Sequence, residues 1–235
     1  MLRTITPFRV FLLLLAYLLL NSAPPCQASL ENTYVAFYWG QYSDTTFLDA
    51  VSLKSDFKDS RIAVFAAGKR FQPYKNLFRF ETEFQIAEHR GLKYFSDPDP
   101  ASSNPGCCWA EGYSYEIQNT GHHSHQEFNL VLVFRWLKFP WDHIIDTSIA
   151  VGEGISYATR EPAVEVDPHY LYHGLEYPIS QWLNYLSVEY AFRLPQKMPA
   201  WSLFLRVHHR SGIYGLINDY HGGSDFLTMG LRYDY

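Results

Sequence analysis

From Thr33 to Tyr235 the chain is a succession of short stretches in which apolar and polar side chains alternate. Phe78, Phe80, Phe84 and Ile86 interleave with Arg79, Glu81, Glu83 and Gln85. Phe128, Leu130, Leu132, Phe134 and Trp136 interleave with Glu127, Asn129 and Arg135. Leu186, Val188, Tyr190, Phe192 and Leu194 do so with Ser187, Glu189 and Arg193. Successive side chains of a strand point to opposite faces, so a period of two predicts strands with one apolar and one polar face. Eight such segments are predicted, over 33–42, 60–70, 77–91, 126–138, 147–157, 182–194, 200–211 and 225–235. The stretch 60–70 alternates only weakly. No internal repeat, low-complexity tract or linker divides this region, so it is expected to form one all-β domain.

Alternation alone fits two opposite architectures. A lipocalin or sandwich turns its apolar face inward. A transmembrane barrel turns it to lipid and fills its lumen with the polar face. Three features favour the barrel. The connections alternate in length: 43–59, 92–125, 158–181 and 212–224 are long, whereas 71–76, 139–146 and 195–199 are short. That is the outer-membrane pattern of short periplasmic turns and longer external loops. The polar faces carry both signs of charge (Glu81, Glu83 and Glu189 against Arg79, Arg135 and Arg193), which can pair across an interior just filled by side chains. Finally, Tyr235 closes an alternating strand with an aromatic residue, as outer-membrane proteins commonly end. The expectation is an eight-stranded antiparallel transmembrane β-barrel of outer-membrane type. The competing readings are a catalytically silent barrel with a structural or adhesive role, and a soluble secreted barrel binding small apolar ligands.

The N-terminus reads as a targeting segment. Arg3 and Arg9 precede an apolar run from Val10 to Leu20 that is too short to span a membrane easily, and small residues follow. A signal peptide over 1–28, cleaved after Ala28, leaves the barrel in 29–235; Ala23 is the alternative cleavage point. Pro24 and Pro25 before Cys26 do not make a lipobox. Only Cys107 and Cys108 remain beyond it, and adjacent cysteines cannot staple distant elements. The net charge of -5 excludes nucleic acid as the obvious partner.

The last two segments carry the chemistry. Trp201, Leu203, Leu205 and Val207 share a face that continues into His209 and Ser211. Leu227, Met229, Leu231, Tyr233 and Tyr235 share a face that begins with Asp225. An acid, a base and a hydroxyl therefore converge on the apolar side of one hairpin. With eight strands both termini lie on the periplasmic side, so this rim is the outer one and its apolar side faces the outer leaflet. A serine hydroxyl is a weak nucleophile that needs a base in reach, and the base needs a partner to fix its tautomer. Polar side chains are costly against lipid and tend to have a role there.

The stretch Arg206-Val-His-His-Arg-Ser-Gly-Ile-Tyr-Gly-Leu216, with Asn218-Asp219 and Gly222-Gly-Ser-Asp225, resembles the lipid A 3-O-deacylase (PagL-type, acyloxyacyl hydrolase) family. The motif-level match covers about 30 residues, and the strand layout agrees over the chain beyond the signal peptide. The resemblance implies an outer-membrane serine esterase that removes the 3-O-linked 3-hydroxyacyl chain from lipid A of lipopolysaccharide in a Gram-negative cell. It maps the family's histidine to His209, its serine to Ser211 and its acid, a glutamate in the family, to Asp225 across a slightly longer loop. The family often has asparagine after the serine, where this chain has Gly212. Oxyanion donors are then expected among backbone N–H groups near Gly212 and Gly215. No metal or cofactor is implied, the partners are lipid A and outer-membrane lipids, and a homodimer is compatible with the reading.

Other polar residues are expected to be supporting. His122, His123 and His125 fall with Cys107 and Cys108 in the longest loop, where their spacing fits no standard metal site, so a solvated loop is expected. His208 and Arg210 should face inward onto luminal acids. Phe139-Pro-Trp-Asp142 reads as a tight turn with an interfacial tryptophan. Glu153 is expected near the outer end of its strand, and Arg160 to Glu165 in an external loop able to touch lipid A phosphates.

Overall fold

The computed structural model describes residues 30–98, 115–160, 162–165, 180–193, 199–213, 215–217 and 223–235, with backbone alone over 92–98 and 115–122 and at 163. The expected signal peptide, 1–28, and the cysteine pair Cys107–Cys108 lie outside the described residues. Eight strands are present: β1 Thr33–Ser43, β2 Phe57–Arg70, β3 Phe78–Pro98, β4 Tyr115–Trp136, β5 Asp146–Ala158, β6 Trp182–Arg193, β7 Trp201–Ser211 and β8 Gly223–Asp234. Each pairs antiparallel with its neighbours in sequence, and β8 pairs with β1, so the sheet closes into a barrel. The strand ends that flank the longer connections (44–56, 99–114, 159–181 and 212–222) lie at one end of the barrel, and those that flank the shorter ones (71–77, 137–145 and 194–200) at the other.

Two expectations about length need correction. β3 and β4 continue together to Pro98 and from Tyr115, so much of the expected loop 92–125 is a paired ribbon. His123 and His125 accordingly sit on β4, and His125 is buried inside the barrel rather than solvated. The expected loop 43–59 also contains a short helix, α1, Phe47–Val51. Thr46 caps it: its hydroxyl accepts the Asp49 N–H at 3.3 Å and donates to the Asp49 carboxylate at 2.9 Å.

The lumen is packed and charged. Glu81 receives Arg135, Arg232 and Arg79. Glu83 receives Arg206 at 2.7 Å and the Tyr34 hydroxyl at 2.8 Å. Glu189 bridges Arg135 and Arg206. Higher up, His208 meets Glu127 at 2.8 Å, and Arg210 meets Glu165 at 2.7 Å. Glu165, in the 3₁₀ turn Ala163–Glu165, dips into the barrel mouth instead of lying on the external surface. Burial pushes its carboxyl above the ordinary value, while Arg210 and the Ser224 hydroxyl pull it down. On the β1–β2 side the lining is apolar, with Ala36, Tyr38, Ile62, Val64 and Ala66. Phe65 points outward between them, so both faces of β2 are apolar and the period is blurred there.

The outer surface is the reverse. Phe84, Leu130, Leu132 and Ile155 are each about half exposed, and Trp39, Leu203 and Leu231 continue the belt. At the short-turn end Trp201 packs on Tyr233 and Tyr233 on Tyr235, while Trp141 donates to Thr147 across the turn that Asp142 closes. A contiguous apolar belt with an aromatic girdle over a filled polar lumen is the arrangement of a membrane-spanning barrel. Glu153 interrupts the belt. It lies in mid-strand, not at the end of β5, exposed between Leu132 and Leu186. Glu153→Leu is therefore expected to stabilise the barrel in lipid vesicles by about 1 kcal/mol, read from urea unfolding. A neutral or destabilising result would place this part of β5 outside hydrocarbon.

Candidate functional site

β7 and β8 present the candidate residues because their register sets His209 opposite Asp225 and Ser211 opposite Gly223. His209 and Ser211 are two residues apart and both half-buried on the outward face. His208 and Arg210, between and beside them, point into the lumen and are fully buried. The wall of the barrel thus separates a luminal network from an outer one.

On the outer side His209 Nδ1 lies 2.9 Å from Asp225 Oδ1. Asp225 is only 8% exposed. An Nδ1–H donated to this carboxylate leaves Nε2 as the base. Ser211 and His209 Cα atoms stand about 7 Å apart along the strand, two rises, a separation their side chains can close. The Ser211 hydroxyl accepts the Ile213 N–H at 3.1 Å, and among the described residues no hydrogen bond joins it to His209. Such a local bond to a backbone N–H two residues on is a common serine turn motif. A rotation about χ1 releases it.

The strand ends in a strained turn. Ile213 adopts φ 50 and Gly215 φ 89. A left-handed backbone is uncommon for a β-branched residue and costs on the order of 1–3 kcal/mol. The Gly212 carbonyl accepts the Ile217 N–H at 3.1 Å. The backbone donor held beside the Ser211 oxygen is the Ile213 N–H, a position that sequence reasoning passed over because nothing in an isoleucine signals a left-handed turn.

α1 completes the surroundings. It packs on the outer faces of β7 and β8. The Phe47 ring lies 4.8 Å from the His209 ring. Val207 faces outward yet is only 1% exposed, and Ala50 of the helix is buried. The acid–base pair is therefore sheltered on its lower side by apolar groups, while Leu48 on the helix is exposed. Glu153 occupies the same cross-strand row as His209, separated from it by Leu186 on β6. That places it two strands away, about 10 Å by strand spacing.

No family model matches the chain, and no curated protein matches it. Solved structures similar to it include the following two. The crystal structure of the outer membrane enzyme PagL shares 11% identity over 86% of this chain and 99% of that one, with a TM-score of 0.44. The crystal structure of Neisserial surface protein A (NspA) shares 13% identity over 87% of this chain and 98% of that one, with a TM-score of 0.45.

Proposed function

We propose that this barrel resides in the outer membrane of a Gram-negative cell and is a serine esterase that removes the 3-O-linked acyl chain of lipid A. The observation that carries the reading is the His209–Asp225 hydrogen bond, on the lipid-facing side of the barrel and beside Ser211 on the same strand face. The motif resemblance around Arg206 to Leu216 supports it. The Ser211 hydroxyl attacks the ester carbonyl while His209 Nε2 takes its proton. Asp225 holds the imidazole and stabilises the imidazolium. The oxyanion is received by backbone N–H groups near Gly212 and Gly215, with that of Ile213 held beside the Ser211 oxygen. The sugar alcohol leaves with the proton from His209. Water then attacks the acyl-serine carbonyl as His209 takes its proton; the Ser211 Oγ–acyl bond breaks, His209 returns the proton to Ser211, and a 3-hydroxy fatty acid is released. The chemistry uses no metal or cofactor.

The reading is tested by the mass of lipid A from cells expressing the protein. Loss of one 3-hydroxyacyl chain is expected. Unchanged lipid A, with the barrel folded in the outer membrane, would overturn it. It would then favour a barrel without catalysis, a reading that the Ser211–Ile213 hydrogen bond supports. Phe47 has its own expected effect. Phe47→Ala removes the ring against His209 and should lower the deacylation rate roughly three- to tenfold with the barrel intact. A rate equal to that of the unaltered protein would remove α1 from the positioning of the base.

A further inference from the structure

The long-loop end of the lumen holds a cluster that the esterase reading does not use. His89 on β3 stands directly opposite His125 on β4, and Glu127 follows His125 on the same inward face. The two imidazoles are stacked, with centroids 4.2 Å apart and planes 12° from parallel. One ligand atom from each of His89, His125 and Glu127 lies within 4.8 Å of the others.

We propose that His89, His125 and Glu127 form a binding site for a divalent transition-metal ion of the zinc, nickel or cobalt class inside the barrel. Each imidazole has one nitrogen engaged: His89 Nε2 with Glu127 Oε2 at 2.7 Å, and His125 Nδ1 with His123 Nε2 at 2.9 Å. The other nitrogens, His89 Nδ1 and His125 Nε2, are buried without a hydrogen-bond partner. Buried ring nitrogens are normally satisfied, and two imidazoles beside a carboxylate are the donor set that borderline cations select; ring lone pairs lie in the ring plane, so the two rings turn out of their stack to meet one ion. A loop reading of these histidines misses the match, because spacing i, i+2 places ligands together only on a strand.

The surroundings suit a cation. Glu127 Oε1 meets His208 Nε2 at 2.8 Å, and His208 Nδ1 lies 3.3 Å from the Tyr38 hydroxyl, an outer shell that fixes the carboxylate. The opposing charge is Arg210, whose Nε is 3.8 Å from Glu127 Oε2. That guanidinium is bound by both oxygens of Glu165 and by Ser156, so its charge is already matched. Half-buried His123 precedes His125 on β4, on the side of the long-loop end. Two imidazoles and one carboxylate make three ligands, a set that leaves a fourth position for water or an incoming group.

The test is cobalt titration of the chain, purified without a histidine tag and folded in detergent. One Co²⁺ per chain with the visible absorption of a four-coordinate nitrogen–oxygen site is expected. His89→Gln and His125→Gln should each weaken binding at least about tenfold, with barrel folding checked by heat-modifiable gel migration. His143→Gln, at the exposed short-turn end, should leave binding unchanged. The wild-type protein also gives a measurement that no variant affects. Zinc-edge X-ray absorption should show imidazole scattering and ligands at about 2.0–2.1 Å. Folded wild-type protein that binds no ion would overturn the proposal. So would binding indifferent to both substitutions, or a zinc shell without imidazole. Deacylation by Ser211 is read separately, on the other side of the barrel wall, so either proposal can fail alone.

Discussion

Ser211→Ala is expected to abolish removal of the 3-O-acyl chain, lowering the rate by at least ~10⁴-fold while the barrel folds as before. The size of the effect comes from the chemistry. Without the hydroxyl no acyl-enzyme forms, and what remains is the modest assistance of substrate binding and oxyanion donors. The fold should be indifferent because Ser211 ends β7, is half-exposed and makes one local hydrogen bond to the Ile213 N–H. A bond of that kind contributes about 1 kcal/mol. Asp225→Asn separates the same hypothesis from a generic loss of shape. The amide can keep contact with His209 but favours the wrong tautomer, so a fall of roughly 10³- to 10⁴-fold is expected with substrate affinity little changed. The readout is single-turnover release of 3-hydroxy fatty acid from purified lipid A in mixed micelles. Retained release by Ser211→Ala, from protein shown to be folded, would sink the assignment of the nucleophile.

Much of this site is legible because the barrel makes its two faces chemically opposite. His209, Ser211 and Asp225 continue the outward apolar faces of β7 and β8, so a period of two brings them together before any coordinates are known. The hairpin register then sets His209 against Asp225. α1 is not legible. Five residues carry too little periodicity, and the helix is held by the Thr46 cap and by packing on β7 and β8. Nor is the extension of β3 and β4. There the sequence loses its alternation, as at Ser96, Asp97 and Asn119, although the ladder continues. β2 is blurred for the converse reason, since Ile62, Val64 and Ala66 line an apolar sector of the lumen. The His89–His125 stack lies deeper still: the two are distant in sequence, and only the β3–β4 register pairs them. An inward charge therefore announces a luminal network in general, but its partners are set by barrel closure.

That network carries the second large effect. Glu81→Gln is expected to lower the stability of the folded barrel by about 3–5 kcal/mol, because removing one member of a buried ion pair leaves the others uncompensated. Glu81 is fully buried, and three guanidinium groups converge on it: Arg79 at 2.6 Å, Arg135 at 3.1 Å and Arg232 at 2.7 Å. An amide offers a single oxygen and no charge to all three. Arg135 keeps Glu189 and Arg232 keeps Asp234, which holds the expected loss toward the lower end of the range. Arg79 keeps its partial contact with water at the short-turn end and the more distant charge of Asp146. The comparison is Glu88→Gln, whose partner Arg90 is largely exposed and whose pair should be worth under about 1 kcal/mol. Urea unfolding in lipid vesicles measures both. Adding Arg232→Met to Glu81→Gln should recover part of the loss, since it removes a cation that has lost a counter-charge. Equal, small effects of Glu81→Gln and Glu88→Gln would mean that the luminal charges are solvated as well as the surface ones. The closed barrel would then owe its stability to strand pairing and the apolar belt alone.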